Sequence, residues 1–90
     1  MRDLIFKQLK QKAHHLNPII LIGQNGLTPA VQLEIERALL AHELIKIKIN
    51  LDDRELRGTM IDEICQAREA TLIQSIGKVA VIYRKREENS

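Results

Sequence analysis

Hydrophobic and polar residues recur along the chain at two spacings, which predict three helices and four strands. Apolar residues repeat at helical spacing over residues 2–15, over 29–42 and from Asp52 to about Glu69. Runs of alternating or continuous apolar residues predict strands over 18–22, 44–50, 71–76 and 78–84. The predicted order is an N-terminal helix followed by β-α-β-α-β-β. The helix positions expected to face the core are Ile5, Leu9 and Leu16, then Val31, Ile35, Leu39 and His42, and finally Leu56, Met60, Ile64 and Ala67.

These elements predict an α/β domain of the two-layer α+β kind with a four-stranded mixed sheet. Two crossover connections make the first three strands parallel, and a hairpin turn near Gly77 makes the fourth antiparallel. The two crossover helices are expected to cover one face of the sheet. Because residues 18–22 are apolar on both sides, we expect the N-terminal helix to cover the other face of that strand.

The strand at residues 44–50 has the clearest alternation. Its isoleucines share one side, whereas Lys46 and Lys48 share the other. This pattern is typical of a half-buried strand. Lysines on an edge strand only prevent aggregation, but lysines within an open sheet face form a cationic patch.

The length and composition are those of one small globular domain. The 90 residues are 44% hydrophobic and 29% charged, which argues against disorder. No apolar run approaches the roughly 20 residues of a membrane span, and the N-terminus lacks the apolar region of a signal peptide. The single Cys65 cannot form an internal disulfide. We therefore expect a cytoplasmic monomer, residues 1–90, with no membrane contact and a frayed polar tail at 84–90.

Charge is sorted by element along the chain. Residues 1–28 hold four basic and one acidic side chain, whereas residues 49–77 hold three basic and six acidic ones. A polyanion-binding face with an acidic back would produce this pattern. Helix surfaces that are acidic by chance would produce it equally well, so the sequence leaves both interpretations open.

A glycine loop follows the first strand and precedes the second helix. Gly23 and Gly26 frame Gln24 and Asn25, and Thr28 with Pro29 has the pattern of an N-cap and first helical residue. Such a junction directs backbone N–H groups and the positive end of a helix dipole at one place, which suits an anion such as phosphate. The alternative is an ordinary turn, since Asn-Gly is a common turn dipeptide.

No arrangement of residues indicates an enzyme or a metal site. Cys65, His42 and the pair Asp52 and Asp53 lack a recognisable nucleophile, base and orienting group, and Asp52 is better explained as the N-cap of the third helix. His14 and His15 are adjacent on a helix and so point in different directions. We expect no catalytic residue, no metal and no cofactor.

Three blocks of the sequence resemble a known family. They are residues 16–28, residues 42–48, and residues 76–84 with their Ile-Gly-Lys-Val and Ile-Tyr-Arg segments. These blocks are similar to the YhbY proteins, the free-standing bacterial form of the CRM (chloroplast RNA splicing and ribosome maturation) domain. The resemblance implies a fold like the C-terminal domain of translation initiation factor three. It also implies RNA binding associated with precursors of the large ribosomal subunit, and a G-x-x-G loop that contacts RNA.

Aromatic residues are too few for base stacking to dominate such an interaction. Only Phe6 and Tyr83 are aromatic, so recognition should depend on phosphates and RNA shape. An alternative function is a protein-interaction adaptor that contacts ribosomal proteins during assembly. The residues expected to contact RNA are Lys7, Lys10, Lys12, Gly23, Gln24, Asn25, Gly26, Thr28, Lys46, Lys48, Lys78 and Arg84.

Overall fold

The computed structural model describes residues 2–86, and within them the elements follow the predicted order. Helix α1 ends at Ala13, earlier than predicted, and β1 begins at Ile20 rather than Pro18. Proline has no backbone N–H to donate to a strand, and Ile19 makes the first hydrogen bond, from its N–H to Lys46 O at 3.0 Å. The bounds are α1 Arg2–Ala13, β1 Ile20–Ile22, α2 Pro29–His42, β2 Leu44–Ile49, α3 Arg54–Arg68, β3 Thr71–Ile76 and β4 Val79–Tyr83.

The four strands form one mixed sheet in the order β1-β2-β4-β3. Strands β1 and β2 are parallel, and β4 is antiparallel to both of its neighbours. The predicted mixed sheet is therefore confirmed. The β3–β4 hairpin places β4 beside β2, so β1 and β3 form the two edges.

The main core lies between the sheet and the two crossover helices. Ile45, Ile47 and Ile49 project from β2 into this core and are each about 1% exposed, as the alternation predicted. Each fully buried side chain of this kind contributes about 1.5–3 kcal/mol of transfer free energy. Ile35 and Leu39 of α2 are buried against them.

The buried face of α3 differs from the prediction. Ile61 and Ile64 are its buried residues, Met60 is half-buried, and Leu56 is exposed. Leu56 lies in the first turn of the helix, and Ala67, also predicted to be buried, is exposed in its last turn. His42 was also predicted to face the core, but it is exposed at the end of α2.

A second, smaller core lies beneath α1 on the opposite face of the sheet. Leu9 and Ala13 pack with Leu44, Ile73 and Val81 from β2, β3 and β4. The helix therefore covers β2, β4 and β3 rather than β1. This corrects the expectation that α1 covers residues 18–22, because the apolar patch that matches its buried stripe is on the other strands.

The exposure of two apolar side chains agrees with this position of α1. Leu21 on β1 is 63% exposed, since no helix lies over it. Ile5, predicted to face the core from α1, is 53% exposed, and Phe6 is half-buried in its place.

The N-caps of the two crossover helices are side-chain oxygens. Thr28 Oγ1 accepts the Val31 N–H at 3.2 Å, as predicted. At α3 the cap is Asp53 rather than Asp52, and its Oδ1 accepts the N–H groups of Glu55 and Leu56 at 3.0 and 3.2 Å. Asp52 was predicted to be this cap, but its carboxylate pairs with a lysine of the β3–β4 turn instead.

The chain after β4 is attached to the end of α2. The Arg84 N–H donates to Glu43 O at 3.0 Å, and the Arg86 N–H donates to Glu43 Oε2 at 2.7 Å. The first part of the tail expected to fray is thus hydrogen-bonded to the domain. Residues 87–90 of that tail lie outside the described residues.

Candidate nucleic-acid interface

Three connecting segments meet at one end of the sheet. Strands β1 and β2 both end there, and the β3–β4 turn lies beside them because β4 runs in the opposite direction. The Asn50 N–H donates to Ile22 O at 2.8 Å, and the Ile49 N–H donates to Lys78 O at 2.7 Å. These bonds hold the glycine loop, the segment before α3 and the hairpin turn in fixed relative positions.

The glycine loop is a tight turn that leaves its tip open. The Gly26 N–H donates to Gly23 O at 3.1 Å and closes the turn, with Gly26 at φ +72°. Gln24 and Asn25 at the tip are exposed, and within residues 2–86 their backbone N–H groups have no protein acceptor. Thr28 is committed to capping α2 and so shapes the loop. Outward N–H groups beside a helix N-terminus can bind an anion.

Lys46 and Lys48 lie on the α1 side of the sheet, along β2. Their Cα atoms are two residues apart, which corresponds to about 7 Å along a strand. Lys48 is exposed and Lys46 is half-buried, and neither has an acidic partner among the described residues. The next residue after Lys48 lies opposite Ile22, so this pair leads directly to the glycine loop.

The lysines of α1 are exposed but do not form one row. The buried side of the helix runs through Leu9 and Ala13, and at 100° per residue Lys10 and Lys12 fall on opposite flanks of it. Lys12 lies on the flank that borders Lys46. Lys7 lies on the flank of Lys10, so Lys12 continues the surface of the β2 lysines on one side of α1 and Lys7 and Lys10 lie on the other.

Lys78 occupies the β3–β4 turn close to the glycine loop. Its Nζ lies 3.0 Å from Asp52 Oδ1 and 3.4 Å from Asn50 Oδ1. The hydrogen bond from Lys78 holds the pKa of the Asp52 carboxyl below its usual range, and the Lys78 charge adds to this effect. Because the Asp52 side chain is 99% exposed and that of Lys78 is 38% exposed, solvent screens this ion pair and keeps it weak.

Arg84 does not belong to this surface. Its side chain lies on the face of the sheet that carries α2 and α3, where Nη1 and Nη2 contact the Glu36 carboxylate at 2.9 and 2.8 Å. Nη1 also donates to Arg68 O at 2.8 Å. Arg84 was predicted to contact RNA together with Lys46 and Lys48. Its side chain instead lies on the opposite face of the sheet from theirs, because successive residues of a strand point to opposite faces.

Burial and charge around Glu36 explain its titration. The hydrogen bond from Arg84 is the largest influence and lowers the pKa of the Glu36 carboxyl. Desolvation comes next and raises it, and the charges of Arg84 and Arg68 lower it further, so that the pKa lies below its ordinary value. This cluster joins α2, α3 and the end of β4.

The basic and acidic segments of the chain lie mostly on opposite faces of the sheet. Apart from Asp3, the acidic residues within 2–86 lie on α2, on α3 or in the segments next to them. The lysines at positions 7, 10, 12, 46 and 48 lie on the α1 side. The interpretation of a cationic face with an acidic back therefore agrees with the geometry.

An apolar row on the same face was not anticipated from the sequence. Leu21, Lys48, Val79 and Ile76 are register partners across all four strands. Leu21 and Ile76 are each 63% exposed. Strand alternation could have placed these residues on one face, but only the position of α1 shows that the row is uncovered.

Three other features were considered within residues 2–86: a reactive thiol, a metal site and a membrane-spanning helix. Burial raises the pKa of the Cys65 thiol, and the nearby Asp62 charge raises it further, so the reactive thiolate is disfavoured. Within the described part of the chain, His, Cys, Asp and Glu residues form no group of three that could hold a metal ion. None of the helices there is long and apolar enough to cross a membrane.

Comparison with known proteins gives one consistent result. Residues 3–84 match the family model described as the CRS1 / YhbY (CRM) domain. A Haemophilus influenzae protein named RNA-binding protein is 49% identical over 80 residues, which cover 89% of this chain and 81% of that protein. A Pseudomonas aeruginosa protein named probable RNA-binding protein is 49% identical over 79 residues, covering 88% of this chain and 76% of that protein.

The fold is also similar to a solved structure. The solution structure of a hypothetical Staphylococcus aureus protein, described as a candidate RNA-binding protein, matches with a TM-score of 0.80 and 29% identity. The match covers 94% of this chain and 88% of that one.

Proposed function

We propose that this chain, which belongs to the CRS1 / YhbY (CRM) domain family, is an RNA-binding protein that contacts structured RNA mainly through phosphates. Relatives named as RNA-binding proteins support the ligand class. The observation that carries the mode of binding is that Lys46 and Lys48, which have no acidic partner among residues 2–86, follow β2 toward the strand end where the glycine loop lies.

The loop and the lysines have different tasks in this proposal. Gln24 and Asn25 carry no charge, so the loop positions a phosphate by donating backbone N–H and side-chain amide hydrogen bonds. Lys46, Lys48 and Lys12 supply the positive charge that neutralises the RNA backbone. Lys78 joins them when it exchanges Asp52 for a phosphate, whereas Lys7 and Lys10 extend the contact along α1.

The finer assignment rests on the family resemblance of the sequence blocks. We propose that the RNA is ribosomal RNA in precursors of the large subunit, and that the chain acts there as a cytoplasmic monomer in ribosome assembly. It acts by binding, with no catalytic residue or cofactor.

A protein-interaction adaptor is the second candidate, and one observation favours it. Leu21 and Ile76, each 63% exposed on the α1 side of the sheet, offer apolar contact area that phosphates do not need. Association with large-subunit precursors that survives nuclease treatment would favour the adaptor. Association that nuclease abolishes would favour direct RNA binding.

The salt dependence of RNA affinity tests the proposed function. The full chain is titrated with a structured ribosomal RNA fragment at several salt concentrations. If about five phosphates are neutralised, the slope of log affinity against log salt is about −3.5 to −4.5. A flat dependence, or no binding at low salt, would contradict the proposal.

A further inference from the structure

A second concave site lies on the α1 side of the sheet, at the opposite end of β2 from the glycine loop. It is a depression of about 690 Å³ between the C-terminal end of α1, the segment before β1 and the end of β4. Its lining includes the apolar residues Leu9, Leu16 and Ile19 together with Tyr83. This volume is within the range of sites that hold small organic groups.

The polar groups at this depression are mostly cationic or neutral. Lys12 and Lys46 line it from α1 and β2, and His15 and His42 are further lining residues. Glu43 is the acidic residue among the lining residues, and Arg86 already occupies its carboxylate, with the Arg86 N–H at 2.7 Å from Oε2. An apolar floor with a cationic rim is complementary to a ligand that has a flat apolar part and an attached negative charge.

A nucleotide has these two parts. Tyr83 is the only tyrosine of the chain, and there is no tryptophan. Its side chain is half-buried against the α1 core and borders the depression, so a base could pack on its ring. Lys46 lines this depression and also belongs to the surface that leads to the glycine loop, about 7 Å from Lys48 along the strand. An RNA strand on the β2 lysines would pass the mouth of the depression.

We propose that this depression binds one unpaired nucleotide of the RNA, with the base against Tyr83 and the phosphate at Lys12 and Lys46. The inference rests on the proposed function, because it assigns a second subsite to the same RNA. It adds a single base contact to an interaction that otherwise depends on phosphates. It also predicts a preference for RNA that has an unpaired loop or bulge over a continuous duplex.

The test uses the full chain and two RNAs of equal length, a hairpin with an unpaired loop and a continuous duplex. Because Tyr83 is the only tyrosine, a chain labelled with isotope-enriched tyrosine gives one set of ring NMR signals that needs no further assignment. The hairpin is expected to shift these signals, whereas the duplex is expected to leave them unchanged. Tyr83→Leu keeps an apolar side chain but removes the ring, and it should weaken hairpin binding about tenfold, to the level of the duplex. Tyr83→Phe keeps the ring and should bind the hairpin as the wild type does.

Each other result would overturn the inference in a distinct way. Hairpin binding with unshifted Tyr83 signals would contradict the subsite and leave the proposed function intact. Equal shifts with both RNAs would contradict the choice of an unpaired nucleotide. Shifts that depend on protein concentration without RNA would indicate a second copy of the chain in the depression. Failure of both RNAs to bind would contradict the proposed function and this inference together.

Discussion

Arg84 and Glu36 are 48 residues apart in the chain, and their side chains meet in a two-point contact with Nη2 2.8 Å from Oε2 and Nη1 2.9 Å from Oε1. The contact fixes the end of β4 to α2. The Glu36 and Arg84 side chains are 30% and 20% exposed, so solvent screens the pair only in part. It stabilises the fold on the side away from the proposed RNA surface.

Replacing Glu36 should therefore reduce stability in a pH-dependent way. We expect Glu36→Gln to lower the free energy of unfolding at pH 7 by about 1 kcal/mol, the upper range for an exposed ion pair of good geometry. The pKa of Glu36 in the folded chain lies below its ordinary value of 4.5, so the carboxylate stabilises the fold above that pH. The stabilisation is lost as the pH falls through the folded pKa. Urea unfolding at pH 7 and at pH 3 measures both effects.

The exposed Glu34 on the same helix provides the control. Glu34 has no ion-pair partner within residues 2–86, so Glu34→Gln removes the same charge and should leave the free energy of unfolding nearly unchanged. Equal losses in the two variants would show that net charge, rather than the contact with Arg84, is responsible.

The two adjacent aspartates before α3 should differ in their effect on stability. Asp53→Ala removes an oxygen that accepts two N–H groups, and we expect a loss of about 1 kcal/mol in the free energy of unfolding. Asp52→Ala removes only a fully exposed contact to Lys78 and should have little effect. Thermal unfolding of both variants distinguishes them. A larger loss for Asp52→Ala would reverse the assignment of the cap.

Substitutions at the two glycines of the loop should distinguish an effect on stability from an effect on RNA affinity. Gly26 has φ +72°, and a Cβ there would lie 3.3 Å from Met60 Cε, so Gly26→Ala should cost about 1–2 kcal/mol of stability. Gly23 is not in the left-handed region, and a Cβ there meets nothing within 4 Å. Gly23→Ala should thus fold normally and report on RNA contact alone. Unfolding curves of the two variants are compared first, and RNA affinity is then measured for Gly23→Ala.

A substitution in α3 should stabilise the domain. Gly58 lies within the helix, and a Cβ there would meet no atom within 4 Å. Alanine restricts the unfolded chain and favours the helix, so Gly58→Ala should raise the free energy of unfolding by about 0.5–1 kcal/mol. Urea unfolding checks this directly. A loss of stability would contradict this prediction, because a Cβ at position 58 has no atom within 4 Å to clash with.

Local chemistry determines the parts of the fold that were predicted correctly. The alternation of isoleucine and lysine in β2 defines which side is buried, because successive strand residues point to opposite faces. Thr28 and Pro29 define the start of α2, because one caps the helix and the other fits its first turn. These signals are contained within a few residues of the chain.

Features that depend on distant residues could not be predicted in this way. Both Asp52 and Asp53 can cap a helix, and the contact that engages Asp52 comes from Lys78, 26 residues further along the chain. Arg84 has the charge of an RNA-binding residue, but Glu36 on another element holds it. The depression near Tyr83 requires the position of α1 on the sheet, which no local pattern encodes.

The most direct test of the RNA surface compares two double variants with the same net charge. Lys46→Gln with Lys48→Gln removes the proposed contacts, whereas Arg37→Gln with Arg54→Gln removes two exposed charges from the helix side. The slope of log RNA affinity against log salt is measured for each. We expect the lysine variant to lose about 1.4–1.8 from the magnitude of the slope and the arginine variant to keep the wild-type slope. Equal slopes for the two variants, each shown to be folded, would contradict an RNA surface centred on β2.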